Sequence, residues 1–295
     1  MLENLTTEQR NPASESIDVL PTDRMLAVIN QQDQQVPAAV AQEIPSIALA
    51  VERTVEAVRN GGRLFYIGAG TSGRLGVLDA SECPPTFNVS PELVQGIIAG
   101  GEAALARSSE ANEDDSVAGK RDLIEKGFTN RDVLCGIAAS GRTPYVLGAV
   151  AHAREIGALT VGLSCVKDSE LSRAAEIAIT PLTGPEVVTG STRMKAGTAT
   201  KLVLNMLTTA LMIRLGMTYG NLMVNVQPRN QKLVDRARRI IAAAANVDYQ
   251  RATSLLEESG NSVRTAIVMA RRSVSREAAE QLLEANGGVI SQVLG

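Results

Sequence analysis

The chain has 295 residues, a net charge of −3, only 2% aromatic residues and no tryptophan. That balance argues against a nucleic-acid surface, which needs a positive field and aromatic platforms for the bases. The 44% hydrophobic content supplies a sizeable core, and the length suits one large domain plus a smaller one.

The amino-terminal stretch has no basic segment followed by an apolar core, so no secretory leader is expected. Residues 1–20 are polar and irregular. Thr22 reads as the N-cap of a short helix carrying Met25, Leu26 and Ile29. A longer helix is expected from about Pro37, with Val40, Ile44, Ile47, Val51, Val55 and Val58 at helical spacing. Pro45 is expected to kink it and Gly61-Gly62 to stop it. Residues 1–52 thus form a helical arm that packs on the main domain or on a second subunit.

Arg63-Leu64-Phe65-Tyr66-Ile67 reads as a strand that runs into Gly68-Ala69-Gly70-Thr71-Ser72-Gly73-Arg74. Strand, glycine turn, helix is the simplest reading. Glycines let the backbone turn sharply and approach a ligand. The free N–H groups and the positive end of the next helix suit an anion, and Thr71 and Ser72 add hydroxyl donors. The Gly68-x-Gly70-x-x-Gly73 spacing also fits a dinucleotide fingerprint. That reading wants an acidic residue at the end of the next strand, but Asn88-Val89-Ser90-Pro91-Glu92 precedes the next apolar run. A phosphorylated small molecule is the better reading.

Further apolar runs fall at 94–99, 132–138, 159–164 and 176–180. Their near-continuous apolarity predicts strands buried on both faces, hence an α/β fold with a parallel sheet between helix layers over 53–228. Ligands of such sheets bind at the carboxyl ends of the strands. Three strand ends carry small hydroxyl residues ahead of a helix. These are the turn at 70–73, Ala139-Ser140-Gly141-Arg142-Thr143-Pro144, and Gly190-Ser191-Thr192-Arg193-Met194-Lys195. One such end is ordinary capping; several on one sheet edge suggest a phosphate cradle. Its expected members are Gly70, Thr71, Ser72, Ser140, Thr143, Ser191 and Lys195.

Two acidic sites stand out. Glu82 lies in Asp79-Ala80-Ser81-Glu82-Cys83-Pro84-Pro85, where Pro-Pro is expected to end the helix and leave Glu82 near the strand edge. Glu113 lies in Glu110-Ala111-Asn112-Glu113-Asp114-Asp115, a run that equally reads as a solvated helix start. The residues themselves do not decide between these carboxylates. Cys83, Cys135 and Cys165 read as reduced thiols of a cytoplasmic protein. With the single His152, on a surface helix, they give no zinc spacing, so no metal is expected. The apolar stretch Leu202 to Ile213 is too short for a membrane span and reads as a buried helix. Residues 229–295 read as a small module of three short helices, similar in pattern to ubiquitin-associated bundles. Ser259-Gly260-Asn261 closes its first helix, Ser275 caps its third, and packing or dimer support is its expected role.

Taken together, the 68–74, 79–85 and 138–145 motifs and Thr189-Gly190-Ser191-Thr192-Arg193-Met194-Lys195-Ala196-Gly197-Thr198 resemble the N-acetylmuramic acid 6-phosphate etherases. So do Thr7-Glu8-x-Arg10-Asn11 and the closing Val289 to Gly295. The resemblance spans nearly the whole chain. It implies a sugar isomerase (SIS) domain, a flavodoxin-like five-stranded parallel sheet, working as a homodimer in the bacterial cytoplasm without metal or other cofactor. It implies cleavage of the lactyl ether of a phosphorylated amino sugar, giving N-acetylglucosamine 6-phosphate and D-lactate in cell-wall sugar recovery. It places the acid and base on Glu82 and Glu113, with Glu113 expected as the base at C2 and Glu82 as the proton donor. The alternatives on the same sheet are an aldose–ketose isomerase and a sugar-phosphate-binding regulator.

Overall fold

The structure, a computed structural model, describes residues 6–107, 112–228 and 230–295. Three helices come first: α1 (Thr22–Asp33), α2 (Val36–Gln42) and α3 (Ile44–Arg59). The α/β portion follows as β1 (Leu64–Gly68), α4 (Gly70–Phe87), β2 (Val94–Ile98), α5 (Ala103–Ala106), α6 (Ser116–Glu125), β3 (Val133–Ile137), α7 (Pro144–Glu155), β4 (Leu159–Leu163), α8 (Glu170–Ala174), β5 (Ile177–Ile179) and α9 (Lys195–Arg214). The chain closes with α10 (Gln231–Ala245), α11 (Tyr249–Glu258), α12 (Val263–Arg272), α13 (Arg276–Ala285) and α14 (Ile290–Leu294).

The five apolar runs are the five strands, paired in the order β2-β1-β3-β4-β5. All four pairings are parallel. This is the flavodoxin-like order, whose switch point lies between β1 and β3. The register sets Gly68 beside Ile98 and Ile137, and Ile137 beside Leu163. The carboxyl ends of four strands therefore finish level. Every residue of β1 and β3 is buried. One side of the core gathers Phe65, Ile67, Leu134, Tyr145, Val146, Val150 and Leu171. Phe65 and Phe128 meet edge-on, with centroids 5.2 Å apart.

At the entry to the sheet, Asp132 joins two strands. Its carboxylate accepts from the Arg63 backbone N–H (2.9 Å), Nε (3.1 Å) and Nη2 (2.9 Å). It also accepts from the Thr129 N–H (2.8 Å) and hydroxyl (3.0 Å). Burial raises its pKa, but the Arg63 and Thr129 bonds outweigh that and hold it below the usual carboxylate range.

Three expectations change. Helix α1 begins at Thr22 itself, with Pro21 in the cap position. The single kinked helix is two helices: the chain breaks at Glu43, and Pro37 and Pro45 each sit in a first turn, where a missing N–H costs nothing. Helix α4 runs through Pro84 and Pro85 to Phe87. Local proline chemistry favours a stop before Pro84, but tertiary contacts override it. Cys83 and Phe87 are buried, and the Asn225 amide donates to the Phe87 carbonyl.

The chain forms two compact units: residues to Ser81 with Pro91–Thr208, and Glu82–Ser90 with Thr209–Gly295. The second has its own core, including Val224, Ile241, Leu255, Ile267 and Ile290. The three expected short helices are α11, α12 and α13, capped by Asp248, Ser262 and Ser275. Helix α9 is, among the described residues, the one helix long and apolar enough to cross a membrane; 56% of its most apolar window is buried in the fold, as in the core helix of a globular domain.

Candidate active site

The turn after β1 is built so tightly that side chains would not fit. A Cβ on Gly73 would lie 2.6 Å from the Gly68 carbonyl oxygen, and one on Gly68 would lie 2.7 Å from the Gly73 nitrogen. Strand end and helix start therefore touch backbone to backbone. Gly70 has φ +51°, and a Cβ there would meet Glu113 Oε1 at 3.1 Å. The Glu113 carboxylate thus lies directly against the turn. Its segment is held in place because the Glu113 carbonyl accepts from the Tyr145 N–H at 3.0 Å, in the first turn of α7. Asp115 then caps α6 through the N–H groups of Val117 and Ala118. Glu110, from the same acidic run, lies outside the described residues.

The turn after β3 meets the turn after β4. Gly141 has φ +67°, and a Cβ there would lie 2.3 Å from Ser169 Oγ. The Ser164 and Ser169 hydroxyls are 3.0 Å apart. The Cys165 N–H donates to the Ala139 carbonyl (2.8 Å) and the Leu171 N–H to the Gly141 carbonyl (2.9 Å). Neither serine was expected; each sits after a strand in an unremarkable polar stretch, and only the parallel register brings it to this edge. Arg142 is paired with Glu170 at 3.0 Å.

Thr71, Ser72, Ser140 and Thr143 are all half-buried. Thr143 occupies the N-cap position of α7 yet makes no capping bond. Among the described residues none of these four hydroxyls is committed to a hydrogen bond. Four partly covered donors at a switch point, all free, are what an incoming oxyanion needs. The start of α9 also reaches this edge: a Cβ on Gly197 would lie 3.6 Å from Thr71 Cγ2.

Lys195 differs from expectation. It is 1% exposed, and its ammonium donates to Gln32 Oε1 at 3.3 Å. Burial lowers its pKa, while Glu186 and Asp33 oppose the shift. The Glu186 carboxylate, also 1% exposed, accepts from the Lys195 and Ala196 N–H groups at 2.9 and 3.0 Å. The positive end of α9 is therefore already filled by a protein carboxylate. Ser191 remains half-buried and Arg193 exposed in the loop before it.

Glu82 also differs. It is exposed and lies inside α4 rather than at its end. Twelve residues separate it from Gly70, about 18 Å along the helix axis. One turn earlier Asp79 is 6% exposed. It accepts from Tyr66 Oη (3.0 Å) and Asn205 Nδ2 (2.6 Å), tying α4 to β1 and α9. Burial raises its pKa, against bonds from Asn205, Thr208 and Tyr66. His152, expected on the surface, is only 12% exposed, with Nδ1 3.7 Å from Glu155. Among the described residues no group of three or more His, Cys, Asp or Glu side chains is placed to hold a metal ion.

Comparison with known proteins places this edge in context. The glucokinase regulatory protein N-terminal SIS domain matches residues 46–154. Over 291 residues the chain is 56% identical to N-acetylmuramic acid 6-phosphate etherase of Glaesserella parasuis serovar 5, covering 99% of this chain and 96% of that one. Over 293 residues it is 50% identical to the protein of the same name from Clostridioides difficile, covering 99% and 96%. Among solved structures, a phosphoheptose isomerase from Francisella tularensis matches with a TM-score of 0.50 at 17% identity, covering 66% of this chain and all of that one. That last likeness concerns the fold alone.

Proposed function

From its belonging to the N-acetylmuramic acid 6-phosphate etherase family, we infer that this chain is a carbon–oxygen lyase. It cleaves the lactyl ether of N-acetylmuramic acid 6-phosphate, giving N-acetylglucosamine 6-phosphate and D-lactate in peptidoglycan recycling. The single observation that carries the site assignment is the Glu113 carboxylate lying against Gly70, beside hydroxyls that bond to nothing else.

An alkyl ether is a poor leaving group, so direct displacement is slow. Opening the sugar ring exposes an aldehyde at C1 and acidifies the C2 proton. Glu113 removes that proton as the base. The enolate expels the C3 oxygen as an acid protonates it, water adds to the alkene, and the ring closes. Gly70, Thr71, Ser72, Ser140, Thr143 and Ser191 hold the phosphate through N–H and hydroxyl donors. Acid and base help contribute about 10²–10⁴-fold each.

Glu82 is the proton donor. C2 and C3 are adjacent atoms, while α4 carries Glu82 about 18 Å beyond Gly70. We therefore propose a homodimer in which the partner's α4 delivers its Glu82 to the lactyl oxygen. Uncovered apolar side chains support this: Leu78 on α4 is 53% exposed and Met206 on α9 39% exposed. A cytoplasmic location agrees with three cysteines that are all buried and outside any disulfide. The arm (1–52), sheet domain (53–228) and helical module (229–295) remain our proposed division of the chain.

The test is isotope exchange in deuterated water. Glu82→Ala is expected to keep exchanging the C2 proton while releasing no lactate; Glu113→Ala is expected to lose both. The opposite pattern reverses the roles. Lactate released by the unmodified protein separates the etherase from an isomerase or a binding protein.

A further inference from the structure

The segment between β5 and α9, residues 180–194, contains neither helix nor strand. It crosses the sheet edge where ligands of this fold bind, and loops of that length in compact domains are commonly functional. Buried polar bonds fix it to the amino-terminal arm. Asn11 Nδ2 donates to the Pro185 carbonyl at 3.1 Å, and Ser14 Oγ to the Val187 carbonyl at 2.8 Å. Glu8 Oε2 reaches within 3.3 Å of a Cβ position on Gly190. Gln32 Oε1 joins the two halves, accepting from Asn11 Nδ2 at 2.9 Å and from Lys195 Nζ at 3.3 Å. Asn11, Ser14, Gln32, Glu186 and Lys195 are each at most 8% exposed.

We propose that Lys195 is a positioning residue. Its buried ammonium, bonded to Gln32 of the arm and lying 3.9 Å from a Cβ position on Gly184 of the loop, locks residues 180–194 in place and so sets where α9 begins beside Thr71. The substrate phosphate does not touch it. Two features carry this. The helix end that would attract the phosphate is occupied by Glu186. The ammonium points into the arm, where it donates to Gln32 Oε1 at 3.3 Å.

The inference rests on the etherase reading only for its kinetic readout. Lys195→Met keeps the length and apolar stem of the side chain. The Michaelis constant for N-acetylmuramic acid 6-phosphate is expected to rise about tenfold to 100-fold, the scale of a misplaced binding element, with kcat retained. Gln32→Leu is expected to reproduce that rise, and the double variant to add little to either. Lys195→Arg is expected to restore part of the affinity. A second readout needs no turnover. Arg193 is exposed in the loop, so tryptic cleavage after Arg193 is expected to accelerate in Lys195→Met and in the milder Ser14→Ala. Unchanged affinity in Gln32→Leu, additivity in the double variant, or an unchanged cleavage rate in both Lys195→Met and Ser14→Ala each overturns the proposal. Absence of lactate from the unmodified protein overturns the etherase reading instead and leaves the cleavage test standing.

Discussion

At the scale of single residues, the site is decided by what is missing from a side chain. Gly70 combines a left-handed backbone with a Glu113 oxygen where its Cβ would be. Gly70→Ala is expected to push Glu113 away, cutting C2 exchange about 100-fold for a stability loss of about 1–2 kcal/mol; proton NMR and a thermal melt check both. Ser72→Ala, Ser140→Ala and Thr143→Ala are each expected to raise the Michaelis constant about fivefold, the equivalent of one lost hydrogen bond of about 1 kcal/mol. Unchanged constants at all three remove the phosphate site. Because Thr143 caps nothing, its variant should melt with the parent. Asp79 gives a pH prediction. Its folded pKa is raised above 3.8, so the folded chain holds the proton more tightly than the unfolded one. Stability from this group is largest below the unfolded value and is lost as pH rises through the folded one. Asp79→Asn cannot ionise and keeps an acceptor oxygen. Its stability relative to the parent is expected to improve as pH rises from the unfolded value of 3.8 through the folded one, and denaturant titrations below and above that range would show no trend if burial of the charge were unimportant.

At the scale of elements, the strands were legible and the helix ends were not. A strand covered by helices on both faces must be apolar throughout, so Leu64–Gly68 and Val133–Ile137 announce themselves. Helix boundaries depend on neighbours. Pro84 and Pro85 read as a stop but lie within α4, because Phe87 and its carbonyl are fixed from elsewhere. Glu186 could not be singled out in advance, since a glutamate in a loop looks solvated until the fold places it on a helix end. The Arg63–Asp132 clamp holds two neighbouring strands at their entry. Asp132 has a depressed pKa, so its stabilisation is present above the unfolded value of 3.8 and is lost as pH falls through the folded one. Arg63 keeps the Gly127 carbonyl as a partner and is 27% exposed. Asp132→Ala is therefore expected to cost about 1–3 kcal/mol, near the lower range for a broken charged bond, with the loss shrinking in acid; equal losses at neutral and acid pH would argue against the clamp.

At the scale of the whole molecule, the sheet, its order and the family were legible because the motifs run along most of the chain. The distance along α4 between the turn and Glu82 was hidden, since it follows from a helix that sequence rules end too soon. It leads to a complementation test. Glu82→Ala and Glu113→Ala are each expected to be inactive alone. After subunit exchange, half of the dimers are mixed and each mixed dimer regains one intact site, restoring about a quarter of the activity. No recovery after verified exchange would mean that one subunit supplies both groups. A last consequence concerns observation rather than catalysis. The core contains Phe65 and Phe128 edge to edge in a chain without tryptophan. Phe128→Trp would install a single indole beside four tyrosines; excited to the red of the tyrosine band, its glow reports on the packing beneath the sheet.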